Sequence, residues 1–404
     1  MNKFRVSSHC RYVRGSSGGA IYDLKNEAVI SLNRDAVEVL EMAFRGEADS
    51  SAYSDFLTSL CEKKLLDCFD YEEYSKDIGQ RVRLKYVWLE LTNRCNCRCL
   101  HCYGAFGLPS REQLKSELSF DEWKAVLSKI RHLKGDAIQF IGGEPLLFPR
   151  FSELLLYAHE IGINCIDIFT NAFFLNESIV RLIKDVGASV RVSLYGFDQE
   201  SHERITQYDG SFKRLDYGLD LLRKYRIPTR IAVVLMKENQ DYLDKIINYI
   251  QSKGHKYTGF DTVRRVQHSP QSSHEVTDRK ILLRRMIAYP KFFTSHRSFC
   301  ENQHWNSCWF GKFAITASGD VIPCIFARNL TCGNIRTDKF RYIRRNLLRY
   351  WKNTMDDVET CKNCEFRYSC IDCRPLAEGE CGDFNAKYPR CLYNPYNSTW
   401  GQLN

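Results

Sequence analysis

The 404-residue sequence holds no apolar run near the roughly 18 residues that a membrane span requires, which excludes a helical membrane protein. Its opening, MNKFRVSSHCRYVRG, has no apolar core of signal-peptide length, so no secretory targeting is expected. There is no tandem repeat, which excludes solenoids and propellers. The chain is not short of core-forming residues either. At 44% hydrophobic and 13% aromatic it lies outside the composition of disorder, and its length fits roughly two to three domains. Without a targeting segment, a reducing cytoplasm is the expected location. There, 18 cysteines serve as metal ligands rather than as a disulfide framework.

Acidic residues are the minority charge, 49 against 58 Lys and Arg, and the resulting +9 is uneven. From Val263 to Phe299 eight basic residues meet two acidic ones, and KFRYIRRNLLRYWK at 339–352 has six and none. In the second stretch apolar and basic residues interleave, as on an amphipathic helix with a solvated basic face. Charge alone therefore does not point to a nucleic-acid partner.

The first 80 residues read as a small domain. AIYDL and AVISL flank the turn-forming KNE as a hairpin, and NRDAVEVLEMAF and SDFLTSLCEKKLL follow as helices, the first capped by Asn33 and closed by Gly46. This arrangement is winged-helix-like. The acidic run from Asp67 to Lys76 then reads as a linker. Between 81 and 297, strand-like YVWLELT, AIQFIG, NCIDIFT, SVRVSLY, RIAVVLM and a weaker KYTGFDTV alternate with helical stretches. The fold class expected is α/β, a partial (β/α)6 TIM-type barrel whose chemistry sits at the C-terminal strand ends. From 298 to 404 the chain becomes rich in cysteine and loops, a metal-built domain with little periodic structure for a large core.

Directly after the first barrel strand comes LTNRCNCRCLHC. Cys95, Cys99 and Cys102 are spaced C-x3-C-x2-C, and three thiolates on one tight loop can hold three irons of a cubane, leaving the fourth iron open. A zinc loop is the alternative. Cys97 lies in the loop but off the spacing. The second strand ends in Gly142, Gly143, Glu144 and Pro145, where paired glycines let backbone approach a ligand and proline fixes the turn.

The three-Cys loop, the GGEP turn, TNA at the third strand and SLYG at the fourth resemble, in order and context, the radical S-adenosylmethionine (radical SAM) enzymes across residues 85–262. The resemblance implies a [4Fe-4S] cluster whose open iron chelates SAM. It implies that Glu144 and its neighbours receive the SAM amino group and that His101 lies near the adenine. Ser193 and Arg204 would hold the ribose and the methionyl carboxylate, with Thr170 and Asn171 as further candidates.

The C-terminal cysteines resemble the SPASM extension of radical SAM peptide-modifying enzymes, with two rather than the usual three residues between Cys370 and Cys373. The resemblance implies two auxiliary [4Fe-4S] clusters. One would use Cys361, Cys364, Cys370 and Cys391. The other would use Cys308, Cys324 and Cys373 with Cys300 as fourth ligand, and Cys332 and Cys381 as the alternatives to Cys300 and Cys391. Cys10, Cys61, Cys68, Cys97 and Cys165 read as ordinary thiols.

The function implied is reductive cleavage of SAM to a 5'-deoxyadenosyl radical, which installs a crosslink or related modification in a ribosomally made precursor peptide. The N-terminal domain resembles the recognition element that binds a leader peptide as an added strand, and its segment SSGGAIYDLKNEAVISLNRDAVEVLE is similar to the start of maturases working beside an ATP-grasp ligase. The implied partners are the precursor peptide, an external electron donor and that ligase. Formylglycine formation on sulfatases is the alternative activity, disfavoured because Ile325 rather than Asp follows Cys324. A non-catalytic iron-sulfur or peptide-binding partner is the alternative from another class. No residue is singled out as catalytic acid or base; Tyr195 and Asp261 lie near strand ends.

Overall fold

The computed structural model describes residues 4–47, 53–67, 82–135, 137–266, 273–286 and 293–401. The expected linker falls largely outside these residues. The described chain divides into two compact units. One joins Met1–Arg81, Met286–Phe310 and Tyr350–Asn404, and the other joins Val82–Arg285 and Gly311–Arg349.

In the first unit the hairpin strands, β2 (Gly19–Asp23) and β3 (Ala28–Leu32), are joined by a strand the sequence reading missed, β1 (Cys10–Arg14), in an antiparallel sheet of order β1-β2-β3. Its charged sequence CRYVR hides the alternation, because only Cys10 and Val13 are buried. Helices α1 (Arg34–Arg45) and α2 (Ser54–Glu62) follow. As expected, the Asn33 side chain accepts from Ala36 N and Gly46 closes the helix at φ 75°; such an N-cap contributes roughly 0.5–2 kcal/mol.

Strand β2 is buried along its whole length because its two faces serve two cores. Ile21 packs with Val37, Leu40, Leu57 and Leu60 of the helices. Ala20 and Tyr22 point the other way, into Phe299, Phe366 and Tyr393. The expectation of a C-terminal segment too irregular for a core is corrected here. Trp305 stacks on Phe310 at 4.5 Å, and Trp309 and Trp351 are fully buried, so aromatic packing replaces periodic structure.

The second unit carries six parallel strands in chain order: β4 (Tyr86–Glu90), β5 (Ala137–Ile141), β6 (Cys165–Thr170), β7 (Ser189–Leu194), β8 (Thr229–Leu235) and β9 (Phe260–Thr262). Helices at Phe120–His132, Phe151–Glu160, Glu177–Asp185, Gln199–Thr206, Ser211–Lys224 and Leu243–Ser252 alternate with them. This is the expected partial-barrel sheet. It continues beyond expectation: β10 (Lys312–Ile315) pairs parallel to β4, and β11 (Asp320–Ile322) and β12 (Gly333–Asn334) extend it antiparallel to nine strands. Residues along each strand alternate between two environments. Val87 and Leu89 are fully buried, whereas Tyr86 and Trp88 are only partly so. On the inward side, Asp167 accepts hydrogen bonds from Gln139 Nε2 (2.7 Å), Ser189 Oγ (2.9 Å) and Tyr86 Oη (3.2 Å), and pairs with Arg191.

The basic stretch forms the expected amphipathic helix, Phe340–Trp351, with Ile343, Leu347 and Trp351 buried and Arg341, Arg344 and Arg345 exposed. Among the described residues no helix is long and apolar enough to cross a membrane.

Candidate active site and cysteine clusters

A cavity lies at the C-terminal ends of the parallel strands. The loop after β4 lines it with Cys95, Cys97, Cys99, His101 and Cys102; β5 contributes Gly142 and Gly143, β6 Thr170 and Asn171, β7 Ser193 and Tyr195, and β9 Asp261 and Thr262. Glu144, Pro145 and Arg204 do not line it.

The two glycines are dictated by approach. Gly142 has φ 145°, and a Cβ there would sit 2.7 Å from Thr92 O. A Cβ on Gly143 would sit 2.2 Å from Arg94 O, far inside van der Waals contact. That closeness lets Gly143 N donate to Thr92 O and Glu144 N to Arg94 O, each at 2.8 Å. The turn is thus bonded, backbone to backbone, onto the residues leading into Cys95. On the far side of the loop, Arg98 N donates to Thr206 O (2.9 Å) and Leu100 N to Ile205 O (3.1 Å).

Glu144 is wholly buried and braces this turn. Its carboxylate accepts from Thr170 Oγ1 (2.7 Å), Asn171 N (2.8 Å) and Leu146 N (3.2 Å). Burial pushes its carboxyl up to about 7 against the pull of those bonds. Asn171 reaches onward, its Nδ2 donating to Asn96 Oδ1 at 2.9 Å and to the Cys97 thiol at 3.6 Å. Arg204 is elsewhere occupied: its guanidinium donates to Glu238 O at 2.6 Å, near the Tyr242 ring.

His101 is half-buried, its ring centroid 4.5 Å from that of Tyr195 in an edge-on arrangement, and desolvation pushes its imidazole down to about 4, so it is neutral at pH 7. Cys95 is raised by the adjacent Cys97 thiol and by burial. Asp261 pairs with Arg264 and with Arg285 (3.1 Å); burial pushes its carboxyl up, but the two cations outweigh it and leave it lowered. Replacing the protons on Cys95, Cys99 and Cys102 by iron fits this arrangement, with three thiols on one loop lining a cavity also lined by glycine backbone, neutral rings and the paired Asp261 and Arg264.

Sequence reasoning missed Glu90, Tyr103 and Arg328. Glu90, fully buried at the end of β4, accepts from Arg328 Nη1 at 2.7 Å and Tyr103 Oη at 3.3 Å. A carboxylate at an inward strand position was the visible signal; Arg328, 238 residues away, had none. Cys97, set aside by its spacing, lines the cavity and is 2% exposed.

In the first unit Cys361, Cys364, Cys370 and Cys391 form one group. The Cys370 thiol is raised well above its usual value, first by burial and then by Cys391, Cys361 and Cys364. Cys361 and Cys364 are likewise raised by burial and by neighbouring thiols. Cys300 packs on the same core as Cys364 and Cys391. Asn306 links the backbone at Cys308 to Asp372, the neighbour of Cys373. Its Oδ1 accepts from Cys308 N at 3.0 Å, and its Nδ2 donates to Asp372 at 3.0 Å, whose carboxylate is locked to the buried Arg374. Cys324 is in the second unit, packed with Ile322 and Ala314. Of the alternatives, Cys332 is fully buried and Cys381 exposed.

Residues 89–250 match the Radical SAM superfamily and residues 307–365 the SPASM iron-sulfur cluster-binding domain. The chain is 27% identical to an AdoMet-dependent heme synthase of Methanosarcina barkeri over 339 residues, 76% of this chain and 95% of that protein. It is 25% identical to a PqqA peptide cyclase of Bradyrhizobium diazoefficiens over 341 residues, 78% and 87% of the two chains. Its fold is similar to that of Streptococcus suis SuiB bound to the precursor peptide SuiA, with TM-score 0.52, 14% identity, and 93% and 96% of the chains covered.

Proposed function

The chain is an enzyme of the radical SAM superfamily with a SPASM domain, and from that premise we propose that it installs a crosslink or related modification in a ribosomally made precursor peptide. The radical SAM domain binds a [4Fe-4S] cluster and SAM, and the SPASM domain binds auxiliary iron-sulfur clusters. In the proposal Cys95, Cys99 and Cys102 hold the first cluster, and Cys361, Cys364, Cys370 and Cys391 hold an auxiliary one. Cys308 and Cys373 serve a further cluster with Cys300. Bound there, the first cluster and SAM supply one-electron cleavage of SAM and hydrogen abstraction from an unactivated carbon.

The protein's own residues bind and shield. Gly142 and Gly143 expose backbone to the cavity, where it would receive the SAM amino group, while Glu144 holds the turn rigid from behind. Neutral His101 and the Tyr195 ring give an apolar wall that excludes water without adding charge beside the adenine. Ser193 lines the cavity, and in this reading it would hold the ribose. Asp261, kept ionised by two arginines, orients polar groups rather than taking up protons.

The observation that supports a peptide substrate is the N-terminal antiparallel sheet, whose edge strand β1 offers a place for an added strand; the other edge, β3, is already bridged at Ala28 by Phe293. An external one-electron donor and a pathway ATP-grasp ligase complete the proposed partners. A second reading, a tetrapyrrole substrate, rests on the similarity to the heme synthase over 95% of that protein's length. Anaerobically reconstituted protein with SAM and reductant is to be offered candidate precursor peptides and, separately, an iron porphyrin precursor. A mass change in a peptide, accompanied by 5'-deoxyadenosine, supports the first reading. Decarboxylation of the porphyrin with no peptide change would replace it.

A further inference from the structure

Cys10 belongs to none of these cysteine groups. It is fully buried at the start of β1, where His9, Cys10 and Asp23 bring an imidazole nitrogen, a thiol sulfur and a carboxylate oxygen within 4.8 Å of one another. Sheet register makes the meeting. Cys10 is the cross-strand partner of Asp23, so their side chains leave the same face. His9 is fixed beside them, its carbonyl accepting from Leu24 N at 3.0 Å, and Cys10 N closes a turn onto Ser7 O at 2.7 Å.

The Asp23 carboxylate is held in place. Oδ1 accepts from the backbone N–H of Lys25 (3.1 Å) and Asn26 (3.0 Å), and Oδ2 from Asn26 Nδ2 (2.6 Å). A carboxylate has about four acceptor sites, so one remains. The His9 Nε2 to Asp23 Oδ1 separation of 3.7 Å is too long for a hydrogen bond. Oδ1 already accepts two backbone bonds, so the remaining acceptor site is on Oδ2. The same turn buries Ser7, whose hydroxyl has no hydrogen-bond partner among the described residues. The hairpin turn explains Asp23; it does not explain a thiol and an imidazole converging on it.

We propose that His9, Cys10 and Asp23 bind one zinc ion that staples the start of β1 to the end of β2. Thiolate and carboxylate together offset the charge of a divalent ion, so the buried site is neutral when filled. One nitrogen, one sulfur and one oxygen form a borderline donor set that suits zinc and disfavours magnesium or calcium. His9 is the most exposed ligand, its side chain 27% accessible, and leaves the fourth position to solvent.

The test is zinc content and zinc K-edge X-ray absorption on the full chain, purified anaerobically with its iron clusters loaded, a readout that iron does not obscure. About one zinc per chain with a single sulfur and three nitrogen or oxygen neighbours is expected. Cys10→Ser and His9→Ala should each weaken retention at least about tenfold against a chelating dye, as loss of a ligand does. His9→Ala alters only the most accessible ligand, so it keeps the test open should Cys10→Ser fail to fold. Absence of zinc at micromolar supply, a four-sulfur shell marking occupation of cluster cysteines, or undiminished zinc in the variants would each overturn the proposal.

Discussion

Thr170 Oγ1 donates to Glu144 Oε1 at 2.7 Å, tying the end of β6 to the turn after β5. Because Asn171, the next residue, also reaches Asn96 and Cys97, three consecutive layers of the site are bonded in series: third strand, glycine turn, cysteine loop. A carboxylate with no exposure to the cavity thereby sets the position of groups that do face it.

Glu144 gives stability a pH signature. Its folded value of about 7 lies above the ordinary 4.5. Between those values the folded state holds a proton that the unfolded state has lost, so this contribution is full below pH 4.5 and declines as pH rises to about 7. The change is about 3 kcal/mol. His202, pushed down to about 4 by burial, acts in the opposite direction. The prediction is therefore on a difference: Glu144→Gln should flatten this component, so wild type loses melting temperature relative to the variant between pH 4.5 and 7. Parallel curves would refute it.

Gly143→Ala places a methyl where Arg94 O stands. The backbone must shift, at a cost of roughly 1–3 kcal/mol, and SAM affinity should fall at least tenfold by equilibrium dialysis. An unchanged dissociation constant would show that the turn tolerates displacement.

Arg328→Met leaves Glu90 buried without its cation, predicting a loss of roughly 3–5 kcal/mol in denaturant unfolding. Adding Glu90→Gln should recover most of that loss. If the double variant is as unstable as the single one, packing of Arg328 rather than its charge is what matters.

Cys99→Ala should abolish 5'-deoxyadenosine formation while leaving iron at the C-terminal cysteines, measured by Mössbauer spectroscopy and metal analysis. Normal SAM cleavage in this variant would remove Cys99 from the cluster.

Truncation of residues 1–81 should not give a clean loss of peptide binding alone. It strips Ala20, Tyr22 and Val29 from Phe299, Phe366 and Tyr393, exposing an apolar face beside Cys364 and Cys391. Loss of auxiliary iron and a lowered melting temperature are the expected outcome; a stable truncated chain with full iron would contradict it.

The barrel strands were legible because their apolar runs are short and separated by capped helices, such as the one opened by the Ser119–Glu122 capping box. The thiol spacing and paired glycines were legible because both are local. Strand β1 was not, since its partner on one side supplies the burial that its own sequence does not advertise. Strand β10 was hidden in a cysteine-rich segment, and its parallel partner β4 lies more than 200 residues earlier. The Glu90–Arg328 pair has the same origin: burial of a charge is decided by a partner distant in sequence.

The cysteine loop is held by amide groups of Arg98, Leu100, Gly143 and Glu144, every one of them bonding backbone to backbone. Side-chain identity at positions such as Arg98 and Leu100 is thus uncoupled from where the thiols stand. Those positions are free to drift or to be redesigned, and a library built on them would vary the loop's outer surface while leaving the placement of its thiols heritable.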